Sequence, residues 1–171
     1  MAEGKHCEIE RKYLIRYPDS ARLMAQPGCE IWKIGQTYLR DGEGGQTRRV
    51  RQIEVNGRVE YTRTFKRFVS ALSTEEDEAR ITEAEYRRFL LDRDPGRMTV
   101  SKTRYRIPWG GHVLEFDLYP FWSDRAILEI ELESEEDAAE IPAWVQIVRD
   151  VTGEGRYKNS QIARTVPMEE L

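Results

Sequence analysis

Lys102-Thr103-Arg104-Tyr105-Arg106, Leu114-Glu115-Phe116-Asp117-Leu118 and Leu128-Glu129-Ile130-Glu131-Leu132 share one pattern: ionisable side chains at every second position. Successive side chains of a β-strand point to opposite faces, so each stretch is a strand with one charged face. The other faces of the last two carry only Leu, Phe and Ile. Working outward, Thr99 to Trp109, His112 to Phe121 and Ala126 to Glu133 are strands, the first two joined by a tight turn at Gly110-Gly111. The pattern recurs upstream: Glu8, Glu10 and Lys12 lie on one face of a strand over Glu8 to Ile15, and Ile31 to Leu39 is a second strand. Arg48 to Val55, with Arg49 and Arg51, and Val59 to Phe68, with Lys66 behind Thr62 and Thr64, flank Asn56-Gly57. Both residues of that dipeptide tolerate positive φ, which makes it a strong hairpin signal. Glu75 to Ile81 continues the pattern less clearly, since acidic residues are poor strand formers.

Two helices interrupt the strands. Thr82-Glu83-Ala84-Glu85 has the form of a capping box, followed by Tyr86, Phe89 and Leu90 at helical spacing and stopped by Asp94-Pro95-Gly96. A second helix is expected from about Pro142 to Val151, with proline in its first turn.

At 171 residues the chain fits one domain, spanning 1–171, with 34% charged and 39% apolar residues. A formal net charge of −4, from 27 basic and 31 acidic side chains, suggests neither a nucleic-acid tail nor a membrane-surface patch. No window reaches membrane-spanning length, and no apolar leader opens the chain. The two cysteines, Cys7 and Cys29, form no disulfide framework or metal motif, so reduced thiols and a cytoplasmic location are expected. His6 and His112 have no partners at zinc-ligand spacing and read as surface residues.

Two arrangements fit the alternation. The charged faces are solvated while the apolar faces pack on helices, or the sheet closes into a barrel with its charges turned inward. Segregation of sign favours closure. Whole strands are basic and others acidic, and like charges along one face repel unless opposite charge lies between them. A polyanion suits the basic strands and divalent cations the acidic ones. The expected fold is therefore α+β dominated by β: a closed eight-stranded antiparallel barrel with a charged interior and helices outside.

Glu8-Ile9-Glu10-Arg11-Lys12 resembles the ExExK signature of the CYTH-type triphosphate tunnel metalloenzymes. Arg49-Val50-Arg51, Lys66, Lys102-Thr103-Arg104, Glu115-Phe116-Asp117 and Glu129-Ile130-Glu131 follow in that family's order, so the resemblance runs from about residue 8 to about residue 160. It implies hydrolysis of a triphosphate inside the barrel, most directly inorganic tripolyphosphate. The rivals on the same fold are an adenylyl cyclase, a nucleoside or thiamine triphosphatase, and a non-catalytic polyphosphate binder. It implies two Mg²⁺ or Mn²⁺ ions held by Glu8, Glu10, Glu129 and Glu131, with Asp117 as a further ligand. Arg49, Arg51, Lys66, Lys102, Arg104, Arg106 and Lys158 are implied to hold phosphate oxygens. Glu76, Glu78 and Glu115 support the basic side chains. Glu10 and Glu131 also count among the catalytic groups, with Lys12 and Tyr38. Like charge and burial are expected to push the Lys12 ammonium pKa down, making it a base or proton relay. Tyr38 is its implied partner, or else a core aromatic. A small-molecule triphosphate is the expected partner, without nucleic acid or membrane; a homodimer stays open.

Overall fold

The computed structural model describes residues 4–171. Nine strands form: β1 (Gly4–Arg16), β2 (Glu30–Tyr38), β3 (Thr47–Val55), β4 (Arg58–Phe68), β5 (Ser73–Ile81), β6 (Val100–Trp109), β7 (His112–Leu118), β8 (Arg125–Leu132) and β9 (Ile147–Asp150). They pair in the order β5-β4-β3-β2-β6-β7-β8-β1-β9, and β1 also pairs with β5, which closes an eight-stranded antiparallel barrel. The closure expected from the alternation is therefore the fold. The β3–β4 turn has positive φ at both Asn56 (53°) and Gly57 (75°), and the β6–β7 turn at Gly110 (56°) and Gly111 (82°). Such turns match the right-handed twist of the strands they join.

β1 is the seam. One edge pairs with β8 over Ile9–Arg16, while the other pairs with β5 over Gly4–Ile9 and then with β9 from Tyr13 to Ile15. β9 takes up the edge of β1 that β5 leaves, so from Tyr13 to Ile15 the strand is paired on both sides. This overturns the helix expected from Pro142 to Val151. Pro142 opens only a turn, with the Val145 amide bonded to its carbonyl at 3.0 Å, and β-branched Ile147 and Val148 then extend along β1. Tertiary pairing outweighs the local helix signal there. The strand expected to reach Phe121 ends at Leu118, just ahead of Tyr119-Pro120, since proline has no N–H for a ladder.

Helices are few and short: α1 (Ser20–Met24), α2 (Glu83–Phe89) and α3 (Asn159–Ile162). The capping box before α2 is formed, Thr82 Oγ1 accepting from the Glu85 amide at 3.1 Å and Glu85 Oε2 from the Thr82 amide at 2.9 Å. Among the described residues no helix is long and apolar enough to cross a membrane.

Two apolar clusters lie on opposite sides of the barrel wall. The outer one gathers Leu114, Phe116, Leu118, Leu128, Ile130 and Leu132 beneath Leu23 of α1 and the irregular segment carrying Ile141 and Trp144. Trp144 stacks on Phe116 with ring centroids 5.9 Å apart. The inner cluster joins Leu14, Tyr38, Val100 and Ile127, which share strand parity with the charged faces, to Trp122, Tyr157 and Ile162. It plugs part of the barrel interior. Trp122 Nε1 donates to the Pro167 carbonyl (2.9 Å) and Tyr119 Oη to Asn159 Oδ1 (2.5 Å), tying the C-terminal segment into the plug.

Leu14→Ala removes a fully buried plug side chain. We expect it to destabilise the fold by about 2–5 kcal/mol in urea unfolding, as large-to-small core changes do. A change below about 0.5 kcal/mol, the size of surface effects, contradicts the plug.

Candidate active site

The charged strand faces line a cavity of about 520 Å³. Strand parity brings Glu8, Glu10 and Lys12 of β1, Tyr38 of β2, Arg49 and Arg51 of β3, Lys66 of β4, and Glu76 and Glu78 of β5 to its wall. From the second half of the chain come Lys102, Arg104 and Arg106 of β6, Glu115 of β7, Glu129 and Glu131 of β8, and Lys158 next to α3. Every residue predicted for the site lies on this wall except Asp117, which is wholly buried behind it. Asp117 Oδ1 accepts from Arg104 Nε (2.7 Å), and Oδ2 from Lys102 Nζ (2.7 Å) and Arg104 Nη2 (2.8 Å). Both its oxygens are engaged by these two cations.

Strand order keeps the signs in two groups. β7, β8, β1 and β5, which carry the carboxylates, are contiguous around the barrel, and β4, β3 and β6, with β2 between the last two, carry most of the basic side chains. The groups meet at β6–β7 and at β4–β5. Opposite charges meet as cross-strand neighbours. Lys66 Nζ lies 2.7 Å from Glu8 and 3.2 Å from Glu76, and Arg51 donates to Glu78 at 2.8 Å. Arg104 also reaches Glu115 (3.1 Å) and Glu129 (3.0 Å). Lys12 Nζ sits 3.3 Å from Glu129 and 3.8 Å from Glu10, and donates to the Tyr157 carbonyl at 3.4 Å.

Like charges also meet across strands. Glu10 stands directly opposite Glu131, and Glu129 opposite Glu115, placing carboxylates side by side along β1, β8 and β7. Burial and the Glu129 and Glu8 carboxylates raise the Glu10 pKa to about 7, against the opposing pull of Lys12 and Lys66. Burial, Glu8 and Glu115 raise Glu131 as well. A divalent cation between these carboxylates would remove that repulsion, and hard cations take carboxylate oxygens. The donor chemistry fits such an ion. Among the described residues no three acidic, His or Cys side chains are yet gathered as a closed ligand set. On the basic side, Arg49 faces Tyr38 and Thr64 across its neighbouring strands and makes no ion pair among the described residues. Its Nε is buried without a hydrogen-bond partner, as are Gln36 Oε1 and Thr64 Oγ1. An oxyanion offers the guanidinium what the wall does not.

The lysines differ from expectation. Burial alone would lower the Lys12 pKa, but Glu129 and Glu10 outweigh it and hold the ammonium above its ordinary value. The Lys12 ammonium is thus held charged by its carboxylate neighbours. Its expected lowering overlooked the carboxylates that β8 brings alongside. The depressed lysine is Lys102, brought to about 8 by burial, with Arg104 adding like charge and Asp117 opposing. Lys158 is also lowered, by burial and by Lys12. Tyr38 sits in the plug at the cavity wall, and its hydroxyl accepts from Gln36 Nε2 at 2.8 Å.

Sequence reading missed Gln36 and Glu30 on the face of β2 that carries Tyr38. Trp32, which the sequence left between a pocket for an organic group at one mouth and a place on the rim or under the helices, lies on that face and lines the cavity. His6, expected at the surface, lines the cavity as well. Period-two counting back from Tyr38, and from Glu8, finds the missed residues. His112 lies apart, 2.8 Å from Asp137, and both cysteines are free thiols.

No family model matches the chain. An inorganic triphosphatase of Nitrosomonas europaea is 32% identical over 166 residues, covering 94% of this chain and 99% of that protein. A crystal structure of an inorganic triphosphatase superposes with a TM-score of 0.56 at 28% identity, covering 94% of this chain and 100% of the other. A Pyrococcus horikoshii protein shares the fold, with a TM-score of 0.57 at 18% identity over 95% of this chain and 92% of its own.

Asp117→Ala leaves Lys102 and Arg104 without their shared counter-ion, and breaking a buried pair in this way costs about 3–5 kcal/mol in urea unfolding. The pH dependence has a definite sign. Burial would raise Asp117 and Glu129, but Arg104 and Lys102 hold Asp117 below its ordinary value, and Lys12 with Arg104 holds Glu129 well below. Their contribution is present above the unfolded carboxylate range and lost as pH falls through the lower folded values. Below about pH 4 the wild type should lose stability faster than Asp117→Ala does, read from urea midpoints.

Proposed function

The chain belongs to the family of the Nitrosomonas europaea inorganic triphosphatase, and from that footing we propose that it hydrolyses inorganic tripolyphosphate to pyrophosphate and phosphate with divalent metal ions. The observation that carries this reading is the enclosed wall on which arginines and lysines face a run of adjacent carboxylates. A compact ligand with several negative charges, accompanied by cations, complements both halves at once. A cytoplasmic setting agrees with the free thiols.

In this reading Arg49, Arg51, Lys66, Lys102, Arg104 and Arg106 hold phosphate oxygens, with Lys158 reaching the chain from the α3 side. Arginine supplies a planar fork and lysine a point charge. Glu76, Glu78, Glu115 and Asp117 keep those cations aimed when no phosphate is near. Glu8, Glu10, Glu129 and Glu131 hold Mg²⁺ or Mn²⁺, which would supply charge neutralisation and activation of water. Water adds to a terminal phosphorus, the P–O bond to the bridging oxygen breaks, and pyrophosphate leaves with the bonding electrons. Positioning and charge account for most of such catalysis. Lys12 stays protonated and stabilises negative charge developing beside Glu129. Tyr38, whose oxygen accepts from Gln36, keeps its own proton to donate.

Tripolyphosphate, ATP and thiamine triphosphate supplied in parallel with Mg²⁺ and with Mn²⁺ test the reading directly; phosphate release from tripolyphosphate should exceed that from the other two. Glu129→Gln and Glu131→Gln should each lower kcat on the order of 100-fold, the scale of losing one preorganised electrostatic contact. Retained turnover in both sinks the metal-ligand assignment.

Two limbs of the pH profile follow from the shifted groups. A proton on Glu10 competes with metal, so thermal stabilisation by Mg²⁺ should grow as pH rises through about 7. Lys102 loses its charge as pH rises through about 8, so tripolyphosphate affinity should weaken there. Lys102→Arg should carry that alkaline limb upward, because arginine stays charged.

A further inference from the structure

The cavity is unevenly exposed along β6. Lys102 and Arg104 are buried, the Arg106 side chain is 28% exposed, and Glu30, opposite Arg106 on β2, is 47% exposed. The cavity therefore opens to solvent beside Arg106. At this rim the Arg106 guanidinium is held from three directions. Its Nε donates to Glu115 Oε2 at 3.0 Å, its Nη1 to Glu30 Oε1 at 3.1 Å, and its carbon lies 4.6 Å from the Trp32 ring centroid. All three partners line the same cavity. Cation, ring and carboxylates satisfy one another, and the face of Trp32 is covered by a side chain of the protein itself.

An indole beside a phosphate-binding channel is the natural platform for a planar group attached to the end of a triphosphate. Here such a group has to displace Arg106, breaking two charge-assisted hydrogen bonds and one cation–π contact. A bare polyphosphate has no ring to place and meets Arg106 only as a cation at the entrance. We propose that Arg106, clamped on Trp32 by Glu30 and Glu115, is a specificity filter that disfavours triphosphates bearing an aromatic organic group. This rests on the triphosphatase reading and adds what selects the substrate within it. Trp32 and Glu30 act through Arg106 and are positioning residues.

The test compares wild type with Trp32→Ala, Trp32→Phe and Glu30→Ala. It measures kcat/KM for ATP and tripolyphosphate with Mg²⁺, and calorimetric affinities for tripolyphosphate and a non-hydrolysable ATP analogue. Glu30→Ala, which loosens Arg106 and leaves the ring in place, should raise the ATP-to-tripolyphosphate ratio about tenfold, within the range that pocket contacts contribute to discrimination. Trp32→Ala, which removes the platform along with the clamp, should raise it less than Glu30→Ala does. Trp32→Phe keeps a ring under the guanidinium and should leave the ratio near the wild-type value. Glu30 is exposed at the rim, so its variant tests the clamp without touching the apolar clusters. An unchanged ratio in Glu30→Ala, or a wild type that handles ATP as well as tripolyphosphate, overturns the filter. If no variant hydrolyses either compound but the affinity ratio shifts as stated, the hydrolytic reading fails and the filter stands. Failure to bind either ligand overturns both.

Discussion

A charge taken out of water must be met by opposite charge or hydrogen bonds within a few ångströms, and the architecture of this barrel follows from that requirement. Asp117 is its extreme case: no part of the residue reaches solvent, and Lys102 and Arg104 take up both its oxygens. β7 can carry a buried carboxylate only because β6 beside it carries two cations at matching register. The same relation holds between β4 and β5 and between β1 and β8. In an open sheet these side chains would be hydrated and the register would matter little. Inside a closed barrel, a slip of one residue would turn the charges into the outer apolar cluster and the leucines into the cavity.

Closure itself depends on apolar groups at two places. The outer faces bury Tyr105 and Ile107 of β6 and the leucines of β7 and β8 under α1 and Trp144, which holds the wall in shape. Inside, Leu14, Val100 and Ile127 switch strand faces of inward parity from charged to apolar, and the C-terminal segment seats on them through Tyr157 and Ile162. The contact of Lys12 with the Tyr157 carbonyl lies at the boundary between plug and charged cavity. A lysine with only carboxylates around it could turn toward either; the carbonyl gives its ammonium a third, uncharged acceptor and fixes its direction.

Much of this was legible because period-two alternation is a local property. Strand boundaries fell within a few residues of the expected ones, Asn56-Gly57 and Gly110-Gly111 made the expected turns, and Thr82 with Glu85 made its box. What the sequence could not supply was adjacency. Lys12 of β1 and Glu129 of β8, far apart in the chain, become neighbours only through strand order, so the expected drop in the Lys12 pKa missed Glu129. The segment from Pro142 failed for the same reason: the partner that makes it a strand is the free edge of β1. Gln36 was overlooked because it is uncharged, although parity places it on the cavity face.

A site made wholly of satisfied ion pairs would have nothing left for a ligand, and one made of unsatisfied charges would not fold. This cavity combines the two. Paired groups such as Lys102, Arg104 and Asp117 are held in place before any ligand arrives, so little reorganisation opposes binding. Strain remains where Glu10 stands beside Glu131, and Arg49 keeps a buried Nε without a partner. Those are the positions where added cations and added oxyanions lower the energy most. Opposite unmet charge on facing parts of one wall favours a ligand that brings both signs together over one that brings either alone, and in the proposed reaction a polyphosphate with its metal ions is such a ligand.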